Sequence, residues 1–442
     1  MYTAYIGKRL IELVNQREGK SYTAQEFFDK KYIPLFFGQK RFLQLVNNSK
    51  FDQEFIIRKT VYTPEKLAET LSLQHEKIQT SEPNGSFFLG GAAAEASAGT
   101  SGQVSDITLP ISTEDVYCSW MGAALGIGLP GKPSPTVLVD SDEVIWTIYE
   151  GWYKYREYMN QTPNLKPHQV NTWNGYWITN AFNDRFDADY PFANKTPTVK
   201  TDAKTGIAGI ETTSWVQVIF ALAEKMPKTV LNTYVYSLSQ MNTTVGFISV
   251  ELPAVRFLNE LYQQISRESS VIKNTDSLET LYDTALGFQK ACELGKIGIP
   301  ALEPKQLREY IPGGRREAKP FKSPKDQNDP VIITYNLYQT WIIAMLNNKQ
   351  LIELTKQFAS VLNDFSHQKD RSKTTKSRSV DELLKAQNRK QFIEQLAKML
   401  EENKENADQF DQLTDTVVLM PTTDFPLFMA LLKLKYAVAQ SK

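Results

Sequence analysis

The stretch that divides this chain is EPKQLREYIPGGRREAKPFKSPKDQN, residues 303–328. Its four prolines and two glycines exclude both a continuous helix and a central strand. Before it the sequence mixes helix and strand signals and is rich in aromatic residues, whereas every later segment has helical periodicity. Seven basic residues against four acidic ones give the stretch an excess of three positive charges. We therefore predict a basic Pro/Gly hinge at 303–328.

The fold class that follows is α+β, with a mixed α/β body at 1–302 and an all-α helical bundle at 329–442. In the body, the spacing predicts a helix over 64–80, opened by Pro64 in its first turn. The β-branched run TVLVD at 136–140 predicts a short strand, and residues 231–252 contain two β-rich runs around a polar turn. Short connections between the later helices favour an antiparallel bundle. The helices predicted for this bundle cover residues 331–347, 349–367, 379–403 and 423–440.

Composition limits the classes of function. The 442 residues contain 50 basic and 50 acidic side chains, so any nucleic-acid binding must be local or shared with partners. The two cysteines and the lack of a CxxC pair exclude a disulfide framework and a cysteine-rich zinc site. The N-terminus has no signal-peptide apolar core, and the most apolar stretch, 331–346, is too short and polar to span a bilayer. We therefore expect a cytoplasmic protein without a membrane partner.

No segment predicts catalysis strongly. Asp140 and Asp142 in VDSDE (139–143) follow an apolar run, where metal-dependent nucleases hold their carboxylates, but residues 140 and 141 are equally suited to begin a helix. GIGLPGKP (126–133) begins like a phosphate loop, yet Pro133 replaces the hydroxyl residue that would bind magnesium. Cys118 lies in an apolar setting that makes a thiol inert. We expect no enzyme activity, no cofactor and no metal. The alternatives left open are a metal-dependent restriction-type endonuclease and a structural scaffold without nucleic-acid contact.

Two polar segments are candidates for reading DNA bases. NTWNGYW (171–177) and SQMNTTVG (239–246) concentrate amides, hydroxyls and aromatic rings at predicted turns. Asparagine and glutamine can bond adenine bidentately, and small hydroxyls can contact base edges. The alternative for each segment is an Asx-type turn beside a packed aromatic ring. The candidate motif-binding residues are Asn171, Asn174, Gln240, Asn242, Thr243 and Thr244.

Two basic segments are candidates for binding the DNA backbone. One is the hinge, and the other is HQKDRSKTTKSR (367–378), which has an excess of four positive charges between two predicted helices. Lysine, arginine and hydroxyl side chains suit phosphate contact without base readout, although a solvated loop has the same composition. The candidate backbone-binding residues are Arg315, Arg316, Lys319, Lys322, Lys369, Arg371, Lys373, Lys376 and Arg378.

The chain resembles the large subunit of a type I CRISPR surveillance complex, Cascade. The likeness lies in an aromatic-rich mixed body, polar loops, a basic hinge and a C-terminal helical bundle. Three segments look most like the type I-B branch of that family. They are SGQVSDITLPISTEDVYCSWMGAALGIG (101–128), NTWNGYW (171–177) and YVYSLSQMNTTVGF (234–247).

The resemblance implies a non-catalytic role in antiviral defence. The body would lie beside the Cascade backbone subunit that holds the guide RNA, read the protospacer-adjacent motif in duplex DNA and help to open the strands. The bundle would resemble the Cascade small subunits and steer the displaced strand, and in the type I-B branch it can also be translated separately. The implied partners are guide RNA, target double-stranded DNA, the Cascade backbone and small subunits, and a helicase-nuclease effector.

Overall fold

The computed structural model describes most of the chain and has an α+β fold, as predicted, with a small sheet and a helical C-terminal region. The residues that it describes are 2–44, 46, 49–82, 87–89, 110–132, 134–237, 243–267, 278–313, 317–326, 329–367, 373–402 and 404–441. Among these residues, no helix is long and apolar enough to cross a membrane.

The chain divides into two compact units, which we describe separately. Unit 1 contains Met1–Pro253 and Gly287–Ile297, and unit 2 contains Ala254–Leu286 and Gly298–Lys442. The division therefore falls before the predicted hinge, whose described residues all belong to unit 2.

The helices of the first part of the chain are α1 (Tyr2–Glu18), α2 (Ala24–Phe27), α3 (Ile33–Phe36), α4 (Pro64–Thr80), α5 (Thr113–Ala124), α6 (Asp142–Gln161), α7 (Val170–Ala181) and α8 (Trp215–Lys225). Helix α9 (Leu252–Arg267) begins in unit 1 and continues into unit 2, where α10 (Leu278–Leu281) follows, and α11 (Phe288–Cys292) returns to unit 1. The predicted helix over 64–80 is confirmed, with Thr63 Oγ1 accepting a hydrogen bond from the Lys66 amide at its start.

Helices α1 and α5 pack with their backbones unusually close. A Cβ atom on Gly7 would lie 2.0 Å from the Cys118 carbonyl oxygen, and one on Gly122 would lie 1.8 Å from the Thr3 carbonyl oxygen. These pairings show that the two helices run antiparallel, with Thr3 and Gly7 of α1 facing Gly122 and Cys118 of α5. Only glycine allows the contact, because any side chain would overlap the neighbouring backbone.

One five-stranded sheet lies in unit 1, in the order β1-β2-β5-β6-β7. Neighbouring strands are antiparallel except for the parallel pair β6–β7. The predicted strand at 136–140 and the two β-rich runs within 231–252 are confirmed as β2, β5 and β6. A separate two-stranded ladder joins β3 and β4. The strands are β1 (Ile127–Gly128), β2 (Thr136–Val139), β3 (Val199–Thr201), β4 (Ala208–Ile210), β5 (Val230–Ser237), β6 (Thr243–Glu251) and β7 (Lys296–Ile297).

Unit 2 is built around helix α17, which packs against α12, α13 and α14. Its helices after α10 are α12 (Val331–Leu346), α13 (Gln350–His367), α14 (Lys373–Leu384), α15 (Arg389–Glu402), α16 (Ala407–Leu419) and α17 (Phe425–Ala439). The single helix predicted over 379–403 is wrong, because the chain breaks between α14 and α15. Asn388 starts the second helix by accepting a hydrogen bond from the Gln391 amide at 2.9 Å.

Candidate nucleic-acid interface

The hairpin of β5 and β6 places part of one predicted motif-reading segment at an end of the sheet. Gln240 and Asn242 lie outside the described residues, and Thr243 begins β6. Thr244 is exposed and pairs with Tyr236 across the hairpin, next to an irregularity in the strand register. Thr243 and Thr244 therefore lie in a strand and not in the predicted turn, and the role of this segment in binding stays a prediction.

An exposed aromatic cluster covers the outer face of the same hairpin. Tyr234 and Phe247 are cross-strand partners, and their ring centroids are 5.2 Å apart. Tyr2 from α1 lies 5.0 Å from the first ring and 5.2 Å from the second, and Tyr5 lies 5.8 Å from Tyr2. Phe247 is 68% exposed and Tyr5 is 44% exposed, so these rings face solvent. We call Tyr2, Tyr5, Tyr234 and Phe247 the aromatic platform.

The aromatic platform has the chemistry of a base-stacking surface. Aromatic rings on an exposed sheet stack on unpaired bases, and this interaction tolerates any base because every base has a π-face. Sequence reasoning missed the platform, although Tyr2 and Tyr5 are three residues apart on one helix face and Tyr234 and Phe247 flank the polar turn. The pairing register of the hairpin places Tyr234 opposite Phe247, and α1 brings Tyr2 against both rings.

One edge of the aromatic platform is acidic. The Tyr5 hydroxyl donates a hydrogen bond to Asp140 Oδ2 at 3.1 Å, and burial together with the Asp140 charge raises the pKa of Tyr2. Arg9 pairs with Asp142 at 2.6 Å and with Glu12 at 2.8 Å. A phosphate backbone would be repelled at this edge, so bases on the platform would have their phosphates elsewhere.

The hairpin end of the sheet offers cations instead. Ser237 Oγ donates to the Ser134 carbonyl at 2.9 Å, which holds the β1–β2 loop beside the end of β5. Lys132 is exposed in that loop. Lys290 is 70% exposed along its side chain, pairs with Glu293 at 3.1 Å and lines a cavity of about 140 Å³ with residues of the loop and the two strands. The sheet therefore has an acidic edge near Asp140 and two lysines near the end of β5.

The segment NTWNGYW is a helix, so its predicted position at a turn is wrong. It lies within α7, where Trp173 and Trp177 are buried. Asn174 is fully buried and donates from Nδ2 to the carbonyls of Ala124 at 2.7 Å and Gly126 at 2.8 Å.

Asn171 has a similar role one turn earlier, with hydrogen bonds from its Nδ2 to the carbonyls of Ala123 at 2.9 Å and Gly126 at 2.8 Å. Both asparagines thus complete the C-terminal end of α5, whose last carbonyls have no partner within their own helix. Neither amide donor is available to a DNA base, because each is already used in the fold.

Several cations of the hinge are already paired in the structure. Three of its cations pair with carboxylates: Lys305 with Asp283 at 2.7 Å, Arg308 with Glu303 at 2.5 Å, and Lys319 with Glu309 at 2.6 Å. Lys322 is exposed, with no carboxylate partner in the described part of the chain. Arg315 and Arg316 lie outside the described residues.

The described residues of the hinge are also packed. Tyr310 and Phe321 stack with ring centroids 4.2 Å apart and planes 9° apart, and the Tyr335 hydroxyl donates to the Lys322 carbonyl. The sequence predicted a hinge between body and bundle. The described residues of this segment instead belong to unit 2, where they contact α12.

The second basic segment is partly helical. Lys369 and Arg371 lie outside the described residues, and Lys373 begins α14. The Lys376 ammonium lies 5.1 Å from the Phe365 ring centroid, and Arg378 pairs with Glu382 at 3.1 Å. Surface pairs of this kind are weak enough to be exchanged for phosphate contacts.

Within the part of the chain that the structure describes, the candidate catalytic segments lack some of the groups that their chemistry requires. Among the described residues, no group of three or more histidine, cysteine, aspartate or glutamate side chains could hold a metal ion. Burial raises the pKa of the Cys118 thiol to about 12, as expected of an inert cysteine. The phosphate-loop-like segment leads into β2 rather than into a helix, so it lacks the helix N-terminus that such a site requires.

No family model, curated protein or solved structure matches this chain.

Proposed function

We propose that this chain is a non-catalytic, nucleic-acid-binding large subunit of an RNA-guided DNA surveillance complex of the Cascade type. The observation that supports this function best is the aromatic platform on β5 and β6, where β6 begins with Thr243 and Thr244 of the segment predicted to read a DNA motif. The resemblance supplies the biological setting, which is antiviral defence in the cytoplasm. It also supplies the partners: guide RNA, target duplex, the backbone and small subunits, and a helicase-nuclease.

This proposal gives the two features of the hairpin different tasks. In guide-directed recognition, base pairing reads the target while protein reads a short flanking motif in the duplex. The polar residues at and after the hairpin tip would contact that motif. The aromatic platform would stack on bases that become unpaired next to it and so favour strand opening. Lys132 and Lys290 lie at the hairpin end, where phosphates are better tolerated than beside Asp140.

Removing two rings of the platform tests its role directly. We expect the double variant Tyr234→Ala, Phe247→Ala to bind a single-stranded oligonucleotide about 30-fold more weakly or worse, since two base–aromatic stacks of about 1–3 kcal/mol each are lost. Fluorescence anisotropy at one fixed salt concentration measures the affinity.

The matched control is Tyr190→Ala, which removes a ring that is 70% exposed in unit 1 and belongs to no aromatic contact in the described chain. It should bind like wild type. Equal affinity of the double variant and wild type would show that the platform does not stack bases.

Replacing Asn242 and Thr243 with alanine tests motif reading. In the assembled complex we expect this variant to lose discrimination between duplexes with different flanking motifs, because base-edge contacts contribute about 1–3 kcal/mol each. Assembly with guide RNA should be unchanged, as size-exclusion chromatography can show. Retained discrimination across motif variants would assign motif reading to other residues.

Purification of the chain from its native host separates the three classes of function. Guide RNA together with several protein subunits supports the surveillance complex. A lone chain that cleaves DNA with magnesium, and stops doing so after Asp140→Ala, supports the endonuclease. Protein partners without any nucleic acid support the scaffold, for which the platform would be a protein-binding surface.

A further inference from the structure

Arg156 is a buried cation near the C-terminal end of α6. Its side chain is enclosed by three aromatic rings, and the residue is 7% exposed. The guanidinium carbon lies 5.0 Å from the ring centroid of Phe36, 4.5 Å from that of Phe42 and 4.7 Å from that of Tyr155. Ring faces attract a cation, but they do not replace hydrogen-bond acceptors in the plane of the guanidinium.

The hydrogen bonds of this guanidinium are incomplete. Nη1 donates to Met159 Sδ at 2.8 Å, and a thioether is a weak acceptor. Nε and Nη2 are buried and have no partner among the described residues. These two nitrogens form the side edge of the guanidinium, which is one of the edges that bind carboxylate or phosphate oxygens in pairs. The bonding pattern therefore leaves one oxyanion-binding edge unoccupied.

A second cation, Arg41, acts on Arg156. Arg41 Nη2 donates to the carbonyl of Met159 and, at 3.1 Å, to that of Thr162. These carbonyls at the end of α6 therefore accept from Arg41 rather than from Arg156. Burial lowers the pKa of Arg156 to about 10, and the charge of Arg41 acts in the same direction. The next residue on α6, Glu157, is exposed and pairs with Lys154 at 3.0 Å.

His168 adds a further buried polar atom. Its Nδ1 atom is buried without a partner in the described chain, and its backbone has a φ of 63°, which is strained for a residue with a side chain. Burial, followed by the charges of Lys166 and Arg156, lowers the pKa of His168 to about 4. His168 and Arg41 are both partly exposed, so the cluster extends to the surface of unit 1.

We propose that Arg156, Arg41 and His168 form a binding site for a phosphate-class oxyanion, with the side edge of Arg156 as its main pair of donors. A phosphate would supply the missing acceptors and the missing negative charge in one group. The ligand is either free phosphate or the terminal phosphate of a nucleic acid. The site goes beyond the proposed function, because motif reading and base stacking use other residues.

The wild-type chain provides a test that needs no mutation. The three histidines give three imidazole signals, which proton NMR can follow during titration with sodium phosphate at constant ionic strength. We expect phosphate to move the His168 signal and raise its pKa, since a nearby anion stabilises the imidazolium. The signal of His75, whose Nδ1 atom lies 2.7 Å from the Tyr117 hydroxyl and which belongs to neither basic segment, is the internal reference. A His168 signal that does not respond to phosphate overturns the proposal.

Variants then assign the response to Arg156. Phosphate should raise the melting temperature of wild type above that in sodium chloride of equal ionic strength. In Arg156→Met we expect the affinity to fall about 30-fold or more, since a buried charge partner is lost. The control Arg58→Gln, which changes an exposed arginine paired with Glu54, should respond like wild type. An unchanged phosphate response in Arg156→Met would show that Arg156 does not bind the anion.

The source of the phosphate is distinguished with two short RNAs of one sequence, one with a 5′-phosphate and one with a 5′-hydroxyl. If the terminal phosphate of a nucleic acid is the ligand, the phosphorylated RNA moves the His168 signal and the hydroxyl form does not. If inorganic phosphate alone moves the signal, the ligand is the free ion. Failure of the platform variants to alter oligonucleotide binding would leave this result unaffected, because the aromatic platform contains none of these three residues.

Discussion

Gly122→Ala is expected to destabilise unit 1 by roughly 3 kcal/mol or more, the upper part of the range for overpacking a tight contact. The new methyl carbon would lie 1.8 Å from the Thr3 carbonyl oxygen and 2.7 Å from its carbonyl carbon. Both are backbone atoms, so no side chain can rotate away and α1 and α5 must move apart. That movement would also disturb Tyr2 and Tyr5, which α1 contributes to the aromatic platform. Thermal unfolding followed by circular dichroism measures the change.

The control for Gly122 is Gly287→Ala, in the same unit. A Cβ atom on Gly287 meets nothing within 4 Å, and its φ of −67° suits alanine. Because Gly287 is the N-cap of α11, where alanine is less favourable than glycine, we expect a cost of about 0.5–1 kcal/mol for this variant. If Gly122→Ala were as mild as Gly287→Ala, the close contact of the two helices would be wrong.

Asn174→Ala is expected to cost about 2–4 kcal/mol of folding free energy. The variant removes two hydrogen bonds to buried carbonyls at the end of α5 and leaves a space where the amide was. Asn171 still donates to the Gly126 carbonyl, so the loss falls mainly on the carbonyl of Ala124. Chemical denaturation of the variant against wild type gives the difference.

Asn174→Ala also separates a structural role from a role in DNA recognition. A structural asparagine predicts lower stability, with motif discrimination unchanged in the variant that remains folded. If Asn174 instead contacted a base, the variant would keep its stability and lose motif discrimination. Asn232→Ala is the matched control, since Asn232 is exposed on β5 and should tolerate the change within about 0.5 kcal/mol.

The sequence predicted those elements whose signals are local. The helix at 64–80 follows from Thr63 and Pro64, and the hairpin follows from two β-branched runs around a polar turn. The break between α14 and α15 had a local signal too, because Asn388 precedes Gln391 by three residues, as in a helix start. That signal was outweighed by the regular apolar spacing on either side of it.

The candidate site depended on contacts that sequence spacing does not show. NTWNGYW has the composition of a turn, yet its amides bond carbonyls about 45 to 50 residues earlier in the chain and its tryptophans pack inside unit 1. Tyr2 and Tyr234 lie at distant positions and meet only because α1 lies beside the hairpin. The positive charge of the hinge was likewise overestimated, since one of its cations bonds Asp283, outside the hinge.

The path of the chain between the two units limits how the gene can be divided. The chain passes between units 1 and 2 after Pro253, after Leu286 and after Ile297, so neither unit is one contiguous block. Tyr335, Tyr338 and Trp341 on α12 donate to carbonyls of Lys322, Lys305 and Ile299, which all precede residue 329. A polypeptide that started at residue 329 would contain these three hydrogen-bond donors but not the carbonyls that accept from them. A shortened protein that keeps all of unit 2 must therefore begin at or before Ala254. It must also contain Gly287–Ile297, which belongs to unit 1.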